Sequence, residues 1–260
     1  AGSYYFVEEQ TPFGYVRAVE LPFAIVDTME LQKFELVDEL VMGRLEIVKS
    51  DEKKPEERLE GARFKFTNLD TNVSVILITD EQGRAVSSEV PVGAVGEDGT
   101  VSLYHFSVQE VKAPEGYLLD TTVHKFQFNV NTDRYHRLIY EYQVVDAPSK
   151  VIVSKKALTT KEELPGASLE VRSVTETSGE DGETVKTEGD VVEAWISTDT
   201  PHEIEYLTPG EYVLIETRAP EGYLVAEKVY FTVKDNMTVE EIPLVEMFDD
   251  DTRTEIVKAD

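Results

Sequence analysis

The sequence contains no cysteine. Disulfides staple many small extracellular β domains, so a chain without them relies on its hydrophobic cores or on another covalent tie. It also has no apolar run long enough to cross a bilayer, which excludes a spanning helix and membrane insertion of this segment. Basic residues are few: 25 Lys and Arg stand against 52 Asp and Glu, a formal charge of −27. Such a surface repels phosphate backbones and anionic lipid, so nucleic acid is excluded as a partner and the charge reads first as a device for solubility. The four histidines, His105, His124, His136 and His202, are scattered without ligand spacing, and no zinc site is assigned. The acidic runs Asp249-Asp250-Asp251 and Glu180-Asp181-Gly182-Glu183 do not fit the loop of an EF-hand and read as solvated, with calcium the weaker alternative, so no metal is assigned. No Ser/His/Asp arrangement, phosphate loop or HExxH motif is present, so neither turnover on an external substrate nor a cofactor is expected. Ala1-Gly2-Ser3 reads as an expression remnant rather than a targeting signal.

What the chain does have is one stretch written three times. Tyr4 to Tyr15 reads YYFVEEQTPFGY, Phe106 to Tyr117 reads FSVQEVKAPEGY, and Tyr212 to Tyr223 reads YVLIETRAPEGY. The alternation before each glutamate puts Glu8, Glu110 and Glu216 on the apolar face of a strand, and the Pro-x-Gly that follows turns the chain away. A carboxylate on that face is costly unless something inside answers it. The prolines at 12, 114 and 220 recur about every 100 residues, the size of one small β domain. The expected organisation is therefore an array: residues 1–42 as the end of one unit, 43–148 and 149–252 as complete units, and 253–260 as the first strand of another.

Taken in order, the chain reads as strands throughout. Pro22 to Asp27 and Gln32 to Val37 are expected to close the partial unit. The first complete unit opens with Arg44 to Lys49, in which Leu45, Ile47 and Lys49 share a face. Strands follow around Phe64, from Val73 to Thr79, from Val101 to Glu110, from Val123 to Val130 and from Arg137 to Val145, with a polar loop from Ser87 to Gly99. The second complete unit repeats the layout from Val151 to Phe248. Its acidic insert, Thr175 to Asp190, reads as a solvated hairpin tip or loop. No stretch sustains a 3.6-residue period, so the fold is expected to be all-β.

Each complete unit places three ionisable groups at matching inward positions: Lys49, Glu110 and Asp146 in one, Lys155, Glu216 and Asp249 in the other. Lys49 lies as far from Glu110 along the chain as Lys155 does from Glu216. Any of these groups buried alone would bear a large desolvation cost, so they are expected to meet. Burial favours the neutral forms of amine and acid alike, and a free amine facing an uncharged carboxyl carbon is the pairing that amide formation needs. A glutamate beside both can relay the proton and hydrogen-bond the developing oxyanion. The product would be a Lys–Asp isopeptide bond with loss of one water. The plainer alternative is an unreacted salt-bridge cluster, or a lysine that reaches solvent at a sheet edge. In the second unit Lys156 beside Lys155, and Asp250 and Asp251 beside Asp249, compete for the same roles, and strand phase alone selects Lys155 and Asp249.

The segments LEIVKSD, LEGARFKF, FSVQEVKAPEGY, VIVSKK, LPGASLEV and YVLIETRAPEGYLV resemble the collagen-adhesin B-type (Cna B-type) domains of Gram-positive shaft pilins and cell-wall-anchored adhesins. The resemblance covers nearly the whole chain. It implies tandem transthyretin-like, or inverse-immunoglobulin, β-sandwiches on the bacterial surface, held to the cell wall through an anchor elsewhere. By similarity Lys49 and Lys155 are amine donors, Glu110 and Glu216 the catalysts, Glu8 the catalyst of the partial unit, and Asp146 and Asp249 the acceptors. The sequence departs from the family in one respect: the acceptor is often asparagine there and is aspartate in both units here. The implied role is a structural stalk whose partners are neighbouring modules of the same chain. One alternative is an adhesin module gripping a host matrix protein or glycan, marked by an exposed aromatic patch near Trp195. Another is an accessory β-sandwich of a secreted glycoside hydrolase.

Overall fold

The computed structural model describes residues 1–130, 137–178 and 184–252. His136, the acidic tetrad 180–183 and the segment 253–260 lie outside the described residues. The chain divides into two compact units, the first formed by Ala1–Ser50, Pro55–Val111 and Thr121–Val145, the second by the remainder. Both are built from strands, and the fold is a tandem of transthyretin-like sandwiches. A single 3-10 turn at Val239–Glu241 is the one helical element among the described residues.

The first unit begins with four short strands: β1 (Gly2–Phe6), β2 (Tyr15–Val16), β3 (Leu21–Ile25) and β4 (Glu39–Leu40). β1 pairs antiparallel with β3, and β2 with β4. Two expectations need correction here. Glu8 lies beyond the end of β1 rather than on a strand face. Gln32 to Val37 forms no strand, because the Gln32 side-chain amide takes the hydrogen bonds a neighbouring strand would supply, accepting from Val26 N–H at 3.1 Å and donating to its carbonyl at 2.8 Å. Alternation of apolar residues selects a strand only where a backbone partner is free.

The sandwich of the first unit uses β5 (Met42–Asp51), β6 (Arg63–Asn68), β7 (Val73–Ile78), β8 (Arg84–Val86), β9 (Val90–Pro91), β10 (Gly93–Val95), β11 (Val101–Leu103), β12 (Phe106–Lys112), β13 (Val123–Phe126) and β14 (Leu138–Asp146). One sheet has the order β14-β5-β8, the other β13-β12-β6-β7. The period-2 pattern is the cause: Leu45 and Ile47 from one sheet and Phe64, Phe66, Phe106 and Val108 from the other are buried in a single core. The stretch read as a loop from Ser87 to Gly99 contains β9 and β10, anchored by the buried Val92. The strand expected from Val101 to Glu110 is broken into β11 and β12. At the break Tyr104 N–H donates to the Val92 carbonyl at 2.9 Å and the His105 carbonyl accepts from Leu69 at 2.8 Å, so the chain changes partner there.

The second unit repeats this plan with β15 (Lys150–Ala157), β16 (Ser168–Ser178), β17 (Thr184–Ile196), β18 (His202–Glu205), β19 (Gly210–Arg218), β20 (Val229–Val233) and β21 (Leu244–Asp249). Its sheets have the orders β18-β15-β21 and β17-β16-β19-β20. The opening and closing strands β15 and β21 lie side by side and parallel, with Lys155 opposite Met247 and Ala157 opposite Asp249. The insert from Thr175 to Asp190 is mostly strand: β16 and β17 run through it as one antiparallel ladder. Cross-strand pairing of polar residues, including Glu176 opposite Lys186, carries a hairpin that has no apolar face to announce it.

Candidate functional site

Lys49 stands on β5 in phase with Leu45 and Ile47, and all three are 0% exposed. Lys155 on β15 follows Val151 and Val153 in the same way and is 2% exposed. These two lysines rank with Phe64 and Phe106 among the largest fully buried side chains of the chain. A lysine so deep in a sandwich cannot send its ammonium to water, which removes the reading in which it reaches solvent at a sheet edge.

The structure brings Lys155, Glu216 and Asp249 together. Lys155 Nζ lies 3.2 Å from Glu216 Oε1 and donates a hydrogen bond to Asp249 Oδ1. β19 supplies Glu216 from the facing sheet, in register with Leu169 of β16. Burial first of all pushes the Asp249 carboxyl up to about 6; hydrogen bonding and attraction to Lys155 pull it back, and the neighbouring Glu216 adds to the rise. Asp249 Oδ2 accepts no hydrogen bond among the described residues, although the carboxyl is only 1% exposed. A carboxyl in this state is neutral below about 6 and ionised above it. Lys156 points elsewhere, to Glu246 at 2.6 Å, and Asp250 is exposed, so geometry separates Lys155 from Lys156 and Asp249 from Asp250.

In the first unit Lys49 Nζ is 3.0 Å from Glu110 Oε1 and 5.4 Å from the centre of the Phe64 ring. Glu110 is 4% exposed on β12. Asp146, 1% exposed, ends β14, the strand paired with β5. Glu8 is only half-buried.

The glutamates share a feature that no residue pattern announces. Glu216 Oε2 accepts the backbone N–H of Ala226 at 2.7 Å, and Glu8 Oε2 accepts that of Ala18 at 2.7 Å. The donor lies ten positions on in both, past the Pro-x-Gly-Tyr turn. One oxygen of Glu216 is thereby fixed by backbone, leaving the other to face the lysine. The recurring offset was available in the sequence, but nothing in the alanines themselves points to it.

In the second unit the Tyr117 hydroxyl, at the end of the repeated stretch, donates to Asp51 at 2.8 Å, and Lys53 and Lys54 donate their backbone N–H groups to the same carboxylate at 2.6 and 2.9 Å. Burial raises the Asp51 carboxyl, but the Tyr117 hydroxyl and these amides together outweigh it and hold the group below its usual value. Trp195 is half-buried against the core and stacks on His202 at 4.4 Å, so it forms no exposed aromatic patch. Among the described residues no group of three or more His, Asp or Glu is arranged to hold a metal.

A family model described as a SpaA prealbumin-like fold domain matches residues 43–138 and again 149–245. The chain belongs to the SpaA prealbumin-like domain family. The match places one such prealbumin-like domain in each complete unit. Among solved structures, the Bacillus anthracis TIE protein is 25% identical over 97% of this chain and 42% of its own, with a TM-score of 0.55. The chain thus spans less than half the length of that protein. A D295N variant of the shaft pilin SpaA from Lactobacillus rhamnosus GG is 14% identical over 83% of this chain and all of its own, with a TM-score of 0.37. A streptococcal ancillary pilin is 22% identical over 95% and 74%, with a TM-score of 0.34. No curated protein matches the chain. No helix among the described residues is long and apolar enough to cross a membrane.

Proposed function

We propose that this SpaA-type chain is a segment of a Gram-positive surface stalk, of the pilin-shaft or adhesin kind, in which each complete unit crosslinks itself once. The observation that carries the reading is the Lys155, Glu216 and Asp249 cluster, sealed in the sandwich with its amine against an acceptor carboxyl of raised pKa. The unprotonated lysine nitrogen attacks the Asp249 carboxyl carbon. The new N–C bond forms as one C–O bond breaks, and that oxygen leaves with two protons as water. Glu216, oriented by the Ala226 amide, carries the proton from nitrogen to the leaving oxygen. The product is a neutral amide in place of two charges, which removes the standing cost of burying them. Lys49, Glu110 and Asp146 are assigned the same roles in the first unit. Residues 1–42, with Glu8, are assigned to the end of a preceding module, and 253–260 to the start of a following one.

The experiment is intact mass of the chain. Two bonds lower it by two waters against the translated sequence, and Glu110→Ala and Glu216→Ala each restore one. A wild-type mass equal to the translated value would leave buried ion pairs and no crosslink. The expected setting is the extracellular face of the cell wall, with neighbouring modules of the same chain as partners.

A further inference from the structure

The two sandwiches follow one plan, yet they finish the same edge in opposite ways. β17, at the end of its sheet in the second unit, bears Lys186, Glu188, Asp190 and Glu193. Charges of this kind discourage another strand from pairing with an edge. β7 occupies the matching end of its sheet in the first unit and, among the described residues, pairs with β6 alone. Its sequence, VSVILI, has no charge and no proline. Val73, Val75, Ile76 and Ile78 are 64, 44, 52 and 54% exposed. An unguarded apolar edge is a template for strand addition, and natural proteins rarely leave one without use.

The two sides of this edge differ in chemistry. Registers place Lys65 opposite Ile76 and Arg63 opposite Ile78 on the outer face, with Lys125 opposite Ser107 further across the sheet. None of the outward positions on these four strands is acidic, although the chain carries 52 acidic residues. Arg63, Lys65 and Lys125 form no ion pair among the described residues, whereas Arg44, Arg84 and Arg172 each hold a glutamate. On the inner side Val73 and Val75 border an apolar cleft of about 260 Å³ closed by Phe66, Val90, Pro91 and Tyr104. Side chains of an added strand point alternately to the two faces. One set would enter the apolar cleft, and the other would lie over unpaired cations and aliphatic surface.

We propose that the free edge of β7 is a docking site for an extended segment of another protein in which apolar and acidic residues alternate. Backbone pairing with β7 supplies the affinity. The cleft selects the apolar positions, and Arg63 and Lys65 select the acidic ones. Two copies of this chain, each strongly anionic, repel one another and are the disfavoured occupant.

The test uses the whole chain and a fluorescein-labelled peptide of about nine residues alternating valine and glutamate. Controls are a scrambled peptide of the same composition and one alternating valine and lysine. Saturable binding of the first alone is expected, weakening with salt, with new hydrogen-exchange protection confined to β7. The double variant R63E/K65E should bind about tenfold more weakly, and I76K, which places a charge on the edge, should abolish protection of β7. Both substitutions are at exposed positions, and unchanged circular dichroism keeps them interpretable. Equal binding of the scrambled or lysine peptide, protection elsewhere than β7, or no saturable binding overturns the proposal. So does concentration-dependent self-association that I76K abolishes, since the occupant would then be a second copy.

Discussion

Lys155 and Asp249 show how much a single position owes to its neighbours. The Asp249 carboxyl, raised by burial to about 6, binds its proton more tightly in the folded chain than in the unfolded one, where the ordinary value is 3.8. Its contribution to stability is therefore fully present below about 4 and is lost as pH rises through about 6. The effect is to be read in Glu216→Gln, a chain in which the proposed bond is expected not to form. Compared with a Glu216→Gln/Asp249→Asn double variant, that chain is expected to lose on the order of 2 kcal/mol of relative stability between pH 4 and pH 7, measured by denaturant titration. A pH-independent difference would mean that Asp249 does not hold its proton. Asp51 has the opposite sign, since its carboxyl is held below the usual value; its contribution is present above 3.8 and fades as pH falls through the folded value. Tyr117→Phe removes one of its donors and is expected to cost about 1 to 2 kcal/mol at neutral pH, with a smaller deficit in acid.

The strands and turns around these residues hold them in reach of one another. Gly83 sits in the turn before β8 with φ at +67°, and a Cβ there would lie 2.4 Å from the Lys49 carbonyl. Its own carbonyl accepts the Lys49 N–H at 2.8 Å, so this turn grips the backbone of Lys49 from the side. Gly83→Ala combines a left-handed conformation with that clash and is expected to cost at least about 2 kcal/mol by thermal unfolding, and to slow crosslinking of the first unit alone in a mass time course. In the second unit Met247 lies opposite Lys155 on the parallel neighbour β21 and is 1% exposed. Met247→Ala opens a void beside Lys155 and is expected to cost about 2 to 4 kcal/mol. Most of these elements were legible from alternation and from the Pro-x-Gly turns. The exceptions have identifiable causes. Gln32 spent its side chain on a backbone that a strand would have paired. Of the two readings of the Thr175 to Asp190 insert, hairpin or loop, cross-strand pairing along β16 and β17 selected the hairpin.

Across the whole chain, the proposed bonds join the opening and closing strand of each unit. The second would close a loop of 94 residues, stabilising by roughly 4 to 5 kcal/mol on a loop-entropy argument borrowed from disulfides. Tension along a stalk enters β15 and leaves β21, which lie parallel and adjacent, so the crosslink bypasses everything between them. Pulled end to end in a single-molecule experiment, the wild-type chain is expected to show no extension from the residues between Lys155 and Asp249. The Glu216→Ala chain should release them in one step. A wild-type chain that releases them would exclude the covalent tie.

The sequence by itself determined the repeat, the all-β class and the candidate triads, because alternation, turn chemistry and the recurrence of Lys49, Glu110 and Asp146 as Lys155, Glu216 and Asp249 are properties of a line of residues. Folding is what separates Lys155 from Lys156 and Asp249 from Asp250, places the Ala226 amide on Glu216, and among the described residues leaves β7 with one strand partner and an uncharged edge while β17 carries charge. The reason is that these are facts about burial and about which backbone groups find partners. Both depend on how distant segments meet, and a linear pattern carries neither.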